Sequence, residues 1–349
     1  MNQSPYRAIF FDLDGTLLPM DLDEFLQGYM GTLERFVDAH GLDGKAFSKA
    51  LNAGIRAMAF DDSPRSNAEV FWEAFFKGVL GTTKKAALKA ISGKPATKTL
   101  LSGQEEASGQ MSAEMQGWLA VFEDFYENHF GAIGQDTLAN PFAARSIEVL
   151  AAKGYPLVLA TMPMFPLRAV EWRCAWAKVD PAVFVRITHF ENSTSIKPKH
   201  AYFQENLKAT GLAPHEVLMV GNNTREDLAC LGLGMDAYLI TDHLIDPVGF
   251  DLSTVKHGSF EDFLAWTEGL PPCGSPATCF EKGLVAAEQG DAQGMLRATA
   301  EDATEQVVED VAIEAPAKED GVNRAVPLSK DEDAHGTHPA KDEDAHGTF

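Results

Sequence analysis

Residues 8–18 read Ala8-Ile9-Phe10-Phe11-Asp12-Leu13-Asp14-Gly15-Thr16-Leu17-Leu18. The four apolar residues read as a buried strand, and the strand delivers two aspartates, one residue apart, into a Gly-Thr turn. An ionised carboxylate is too costly to desolvate alone, so each aspartate must meet a cation, a ligand or water. Residues i and i+2 of an extended strand point the same way, which aims Asp12 and Asp14 at one small volume beyond the strand end. That placement suits a carboxylate that attacks an electrophile beside one that shuttles a proton. Two clustered carboxylates also attract a hard cation such as Mg2+.

Three further strand-end signals follow in order. Pro156-Leu157-Val158-Leu159-Ala160-Thr161 ends an apolar run in a hydroxyl. Lys197-Pro198 precedes a helical pattern through His200-Ala201-Tyr202-Phe203. Val217-Leu218-Met219-Val220-Gly221 leads into Asn222-Asn223-Thr224-Arg225-Glu226-Asp227. Taken together, the four segments resemble the motifs of the haloacid dehalogenase superfamily, most of whose members are phosphatases.

The resemblance implies an α/β fold with a Rossmann-like parallel sheet and an inserted all-helical cap domain. It implies Asp12 as nucleophile, forming an aspartyl-phosphate, and Asp14 as the acid that protonates the leaving alcohol and then activates water. Thr161, Lys197 and Thr16 are the implied phosphate-binding residues. Mg2+ is the implied cofactor, held by Asp12, Asp14 through its backbone carbonyl, Asn222 and Asp227. Family members usually carry Asp where this chain has Asn222, and an amide oxygen can coordinate Mg2+ but brings no charge. Asp227, together with Glu226, is the natural compensation.

The chain of 349 residues carries a formal net charge of -22. About half of it lies after residue 280, where acidic residues outnumber basic ones by about seventeen to six. Such a surface disfavours nucleic acid and anionic membranes as partners, leaving a small phosphorylated substrate. Cys174, Cys230, Cys273 and Cys279 show no metal-type pairing and are too sparse for a disulfide framework. Free thiols, the lack of a signal-like amino terminus and the lack of a bilayer-length apolar stretch point to a cytoplasmic protein.

Residues 1–20 and 135–268 read as the α/β core, 21–134 as the helical cap and 269–349 as an acidic, largely disordered tail. Within the cap, Asp21 with Glu24 and Ser66 with Glu69 have the form of capping boxes ahead of apolar helical stripes. Residues 81–110 read as a loop or weak helix. Asn140-Pro141 starts a helix in which Phe142, Ile147 and Leu150 form the apolar face. Strands are expected near 183–188, 217–221 and 237–241, with helices near 166–177, 198–210 and 225–232. The tail closes on a tandem Lys-Asp-Glu-Asp-Ala-His-Gly-Thr repeat at 330–337 and 341–348, a composition that buries too little apolar surface to order itself.

A phosphonatase, needing a cap lysine, and a phosphomutase are alternatives on the same residues. A dehalogenase has no need of Asp14. A non-catalytic binding protein, favoured by Asn222 and the tail, is opposed by Asp12, Asp14, Thr161 and Lys197. Neither the substrate nor the oligomeric state is legible.

Overall fold

The computed structural model describes residues 4–79 and 113–278. The 81–110 segment, Cys279 and the repeat tail lie outside them, as do the expectations made there.

Six strands form one parallel sheet: β1 (Ala8–Phe11), β2 (Leu157–Leu159), β3 (Phe184–Ile187), β4 (Val217–Gly221), β5 (Asp236–Ile240) and β6 (Lys256–Gly258). Their order is β3-β2-β1-β4-β5-β6, so β1 lies between β2 and β4 although well over a hundred residues separate it from either in sequence. The unbroken apolar runs follow from burial on both faces. Ile9, Phe11, Leu157, Leu159, Leu218 and Val220 belong to one apolar cluster. Ala8, Phe10, Val158, Val217 and Met219 belong to another. Alternate residues of each strand therefore feed opposite cores.

The helices are α1 (Leu22–Ala39), α2 (Gly44–Phe60), α3 (Asn67–Val79), α4 (Ala113–Asn128), α5 (Pro141–Ala152), α6 (Leu167–Trp176), α7 (His200–Thr210) and α8 (Phe260–Gly269). The starts agree with the capping signals. The Asp21 side chain accepts from the Glu24 N–H, and Ser66 and Glu69 each accept from the other's backbone N–H. Asn140 caps α5 with Pro141 in its first turn. Two details differ from expectation. Phe142, at the second position of α5, is 38% exposed, because the first turn of that helix lies outside the core. The stretch expected as a helix near 225–232 is a 3₁₀ run, Leu228–Leu233. Gly232 and Gly234 fall within and just after that run, where poor helix propensity leaves only the tighter, shorter form.

α1 to α4 lie in the interval between β1 and α5, and their described residues share one continuous apolar cluster with a face of the sheet. Phe71 meets Phe190 at 6.0 Å between ring centroids, and Tyr29 meets Phe165 at 5.3 Å. Polar contacts fix the seam. The first N–H groups of α3, on Asn67 and Ala68, donate to the carbonyls of Ser193 and Phe190 at 2.7 and 2.9 Å. The buried Asn67 amide donates to Pro163 O at 3.0 Å and Ser195 O at 3.2 Å. Because Asn67→Ala strands two carbonyls, it is expected to lower stability by about 1–3 kcal/mol in urea unfolding. Amide exchange is expected to quicken first at the start of α3, and unchanged exchange there would refute this seam as an anchor.

Candidate active site

Each expected site segment reaches the same end of the sheet. Asp12 follows β1, Thr161 lies two residues beyond β2, Asn222 follows β4, and Lys197 stands just before α7. In open α/β sheets the carboxyl ends of the strands are where ligands are held.

Lys197 is the centre of the cluster. Its side chain is 1% exposed, and Nζ lies 2.7 Å from Asp12 Oδ1 and 2.7 Å from Asp227 Oδ1. Burial alone would lower the ammonium's pKa, but the two carboxylates hold it well above its ordinary value. Asp227 is pushed up to about 6 by burial, with Lys197 opposing and the Asp12 charge adding to the rise. Its second oxygen accepts from the Asn223 N–H at 2.9 Å, so both carboxylate oxygens are engaged. The close approach requires glycine at 221, since a Cβ there would sit 2.2 Å from Asp227 Cγ. Glu226, largely buried beside the same charges, is raised to about 7, burial being the main cause.

Asp14 takes a different partner. Its Oδ2 pairs with Nη1 of Arg173, on α6, a residue that the motif pattern does not single out. The Arg173 side chain is 1% exposed. Burial pushes the Asp14 pKa up, Arg173 opposes the rise, and the neighbouring Asp12 charge adds to it. Three buried polar atoms here have no hydrogen-bond partner among the described residues: Asp14 Oδ1, Thr161 Oγ1 and Arg173 Nη2.

Asn222 is held by its amide. Nδ2 donates to the carbonyl of His243 at 2.6 Å, which turns Oδ1 toward Thr16. The Thr16 hydroxyl lies 3.1 Å from that oxygen and 3.0 Å from Asp12 Oδ2. One hydroxyl proton cannot satisfy both, so two hard oxygen donors converge with one left short. Among the described residues, no three His, Cys, Asp or Glu side chains group as a metal site. Mg2+ asks less than that, usually one or two carboxylates with waters and substrate phosphate, and the oxygen donors of Asp12 and Asn222 suit it.

The protein-family model for haloacid dehalogenase-like hydrolases matches residues 6–231, more than half of the chain. The chain belongs to the haloacid dehalogenase-like hydrolases. No match is found among curated proteins. Among solved structures, a predicted phosphoglycolate phosphatase from Haemophilus somnus 129pt is 17% identical, with TM-score 0.42, covering 76% of this chain and all (100%) of its own. The HAD phosphatase from Thermococcus onnurineus is 15% identical, with TM-score 0.42, covering 78% of this chain and 100% of its own. The L-2-haloacid dehalogenase RSc1362 is 14% identical, with TM-score 0.40, covering 75% of this chain and 99% of its own. Likeness this distant carries neither substrate nor mechanism to this family member.

The geometry makes two substitutions informative about stability. Lys197→Met leaves Asp12 and Asp227 buried without their cation, an expected loss of about 3–5 kcal/mol by urea unfolding at pH 8. The loss shrinks toward pH 5: without Lys197 to oppose the effect of burial, the Asp227 pKa in the variant rises above the parent's, the folded state takes up the proton more readily than the unfolded, and the charge penalty fades as pH falls. Asn222→Asp turns a carboxylate oxygen toward the His243 carbonyl, and in EDTA it is expected to destabilise by about 1–3 kcal/mol. If the Asn222→Asp protein proves as stable as the parent, the amide contact is dispensable.

Proposed function

We propose that this hydrolase is a phosphatase, acting on a phosphate monoester of a small metabolite through an aspartyl-phosphate on Asp12. The observation that carries this reading is the unlike setting of the two adjacent carboxylates. Both carboxylates are ion-paired, but both oxygens of Asp12 are engaged, by Lys197 and the Thr16 hydroxyl. Asp14 meets Arg173 through one oxygen only, its other oxygen has no partner among the described residues, and burial keeps its pKa raised. A nucleophile needs the first setting and a proton donor the second.

The chemistry balances on these residues. An Asp12 carboxylate oxygen attacks phosphorus, the bond from phosphorus to the leaving oxygen breaks, and the proton on Asp14 goes to that oxygen. Asp14, now a carboxylate, takes a proton from water as the water oxygen attacks the same phosphorus, releasing Asp12 and inorganic phosphate. Lys197 and the unpartnered hydroxyl of Thr161 bind the phosphoryl oxygens, and fixed donors of this kind stabilise charge on a transferring group. Asp227 positions Lys197. Mg2+ would be held by Asp12, the Asp14 carbonyl and the Asn222 amide oxygen, with Glu226 or Asp227 adding charge, and when bound it neutralises the phosphate. Residues 21–134 serve as the cap over a core of 1–20 and 135–268. A dehalogenase would leave the raised Asp14 without a task. No described helix is long and apolar enough to cross a membrane.

Turnover on a panel of alkyl and aryl phosphates, with Mg2+ and again in EDTA, tests the reading. Asp12→Asn is expected to abolish turnover and the acid-stable phosphoryl label on the protein. Asp14→Asn is expected to cost about 10²–10⁴-fold in kcat/KM on alkyl phosphates and much less in kcat/KM on aryl phosphates, whose leaving groups need no proton, whereas kcat falls on both because Asp14 also activates the water. Chelation should stop the reaction and Mg2+ restore it. Turnover by Asp12→Asn at the parent rate would sink the proposal.

A further inference from the structure

Arg173 is a buried cation that none of the steps above uses. It rises from α6 with its guanidinium carbon 4.6 Å from the centre of the Phe165 ring. Its Nε donates to Ala169 O at 3.2 Å, one turn earlier, and Nη1 is taken by Asp14. Nη2 is buried and has no partner among the described residues. The helical insertion approaches this point. Tyr29 packs on Phe165, its hydroxyl 2.8 Å from that of Tyr126, and the Arg173 charge reaches both tyrosines.

Two features of this arrangement call for a second anion. A guanidinium presents a rigid fork of donors matched to the two oxygens of a carboxylate or phosphate, and here half of that fork is empty. An N–H buried without an acceptor is costly, so an arriving oxygen gains more from it than from a solvated arginine. The second feature is charge balance. Among the described residues Asp14 is the one carboxylate ion-paired with Arg173, through Oδ2, yet the acid step asks Asp14 to carry a proton and so to give up its charge. While Asp14 does so, a guanidinium 1% exposed needs another counter-charge.

We propose that Arg173 is a specificity site for a second anionic oxyacid group, carried on the leaving-alcohol part of the substrate. The substrate class is then a phosphate monoester whose alcohol bears a carboxylate or a further phosphate. The phosphoryl group to be cleaved lies at Asp12, Lys197 and Thr161. The second group takes Nη2 of Arg173 and supplies its counter-charge while Asp14 carries the proton, the unpartnered Oδ1 of Asp14 being the oxygen available to the leaving group. Without such a group, Asp14 stays paired with Arg173. A neutral ester therefore binds less well and turns over more slowly. The inference rests on the phosphatase reading for its catalytic half and on the geometry of Arg173 alone for its binding half.

Three matched substrates test it: an alkyl monophosphate, its ω-carboxylate analogue and its ω-phosphorylated analogue. The full chain is expected to prefer at least one anionic analogue over the neutral ester by about 10- to 100-fold in kcat/KM. Which analogue wins tells carboxylate from phosphate. Arg173→Met is expected to bring that ratio close to one, and Arg173→Lys, which keeps the charge but loses the fork, to an intermediate value. The binding half is read separately by calorimetry, using an alkyl phosphonate against its ω-carboxyalkyl counterpart. Tighter binding of the anionic phosphonate that Arg173→Lys weakens supports the site even if none of the esters is hydrolysed, in which case the phosphatase reading alone falls. Equal use of neutral and anionic esters by the parent protein, or a preference unchanged in both variants, overturns the proposal.

Discussion

The architecture at this end of the sheet depends on one buried ammonium. Lys197 bridges Asp12, at the end of the central strand, to Asp227, beyond the neighbouring strand β4. Without it, two carboxylates would stand in an apolar setting with no compensating charge, a condition the fold could meet only by letting in water or protons. With it, three segments far apart in sequence are fixed to a common point. The rest is arranged round that point: Gly221 makes room for Asp227, Asn223 donates to its second oxygen, and Thr16 completes the contacts of Asp12.

Much of this was legible in the amino-acid sequence because the strands are short, apolar on both faces and stopped by chemically distinctive residues. Asp12, Thr161 and Asn222 each punctuate a hydrophobic run, and Lys197 stands ahead of a helical pattern, so their order places them on one rim. Arg173 was not legible. Arg168 and Arg173 occupy the same amphipathic segment, and nothing local tells the partly exposed one, paired with Glu127 and Glu171, from the buried one paired with Asp14. The difference comes from a partner 159 positions away. The engagement of Asp227 was hidden for the same reason: an acidic residue after a strand reads as a cation ligand until the lysine facing it is known. Strand β6 carries Lys256 and His257 at the sheet's edge, a composition without a buried-strand signature.

Asn222 illustrates how a departure from a family pattern can be structural. Read as sequence, an amide in place of a carboxylate suggests a weakened cation site. In the fold, the amide nitrogen meets the His243 carbonyl, and the loop that follows β5 is further tied to the same segment by the Ile245 N–H donating to Asn222 O and the Thr224 N–H donating to Ile245 O. The residue serves the loop as much as the site, and the convergence of its oxygen with that of Asp12 on Thr16 keeps it facing the chemistry.

The Asn67 side chain has a mechanical consequence. Its two amide protons go to the loop that carries Thr161 and to the approach to Lys197, at Pro163 and Ser195. A rotation of α3 about its first turn would tug on both segments together. Any swing of the helical layer would thus be transmitted to Thr161 and Lys197 at once, coupling two rims of the site through one side chain.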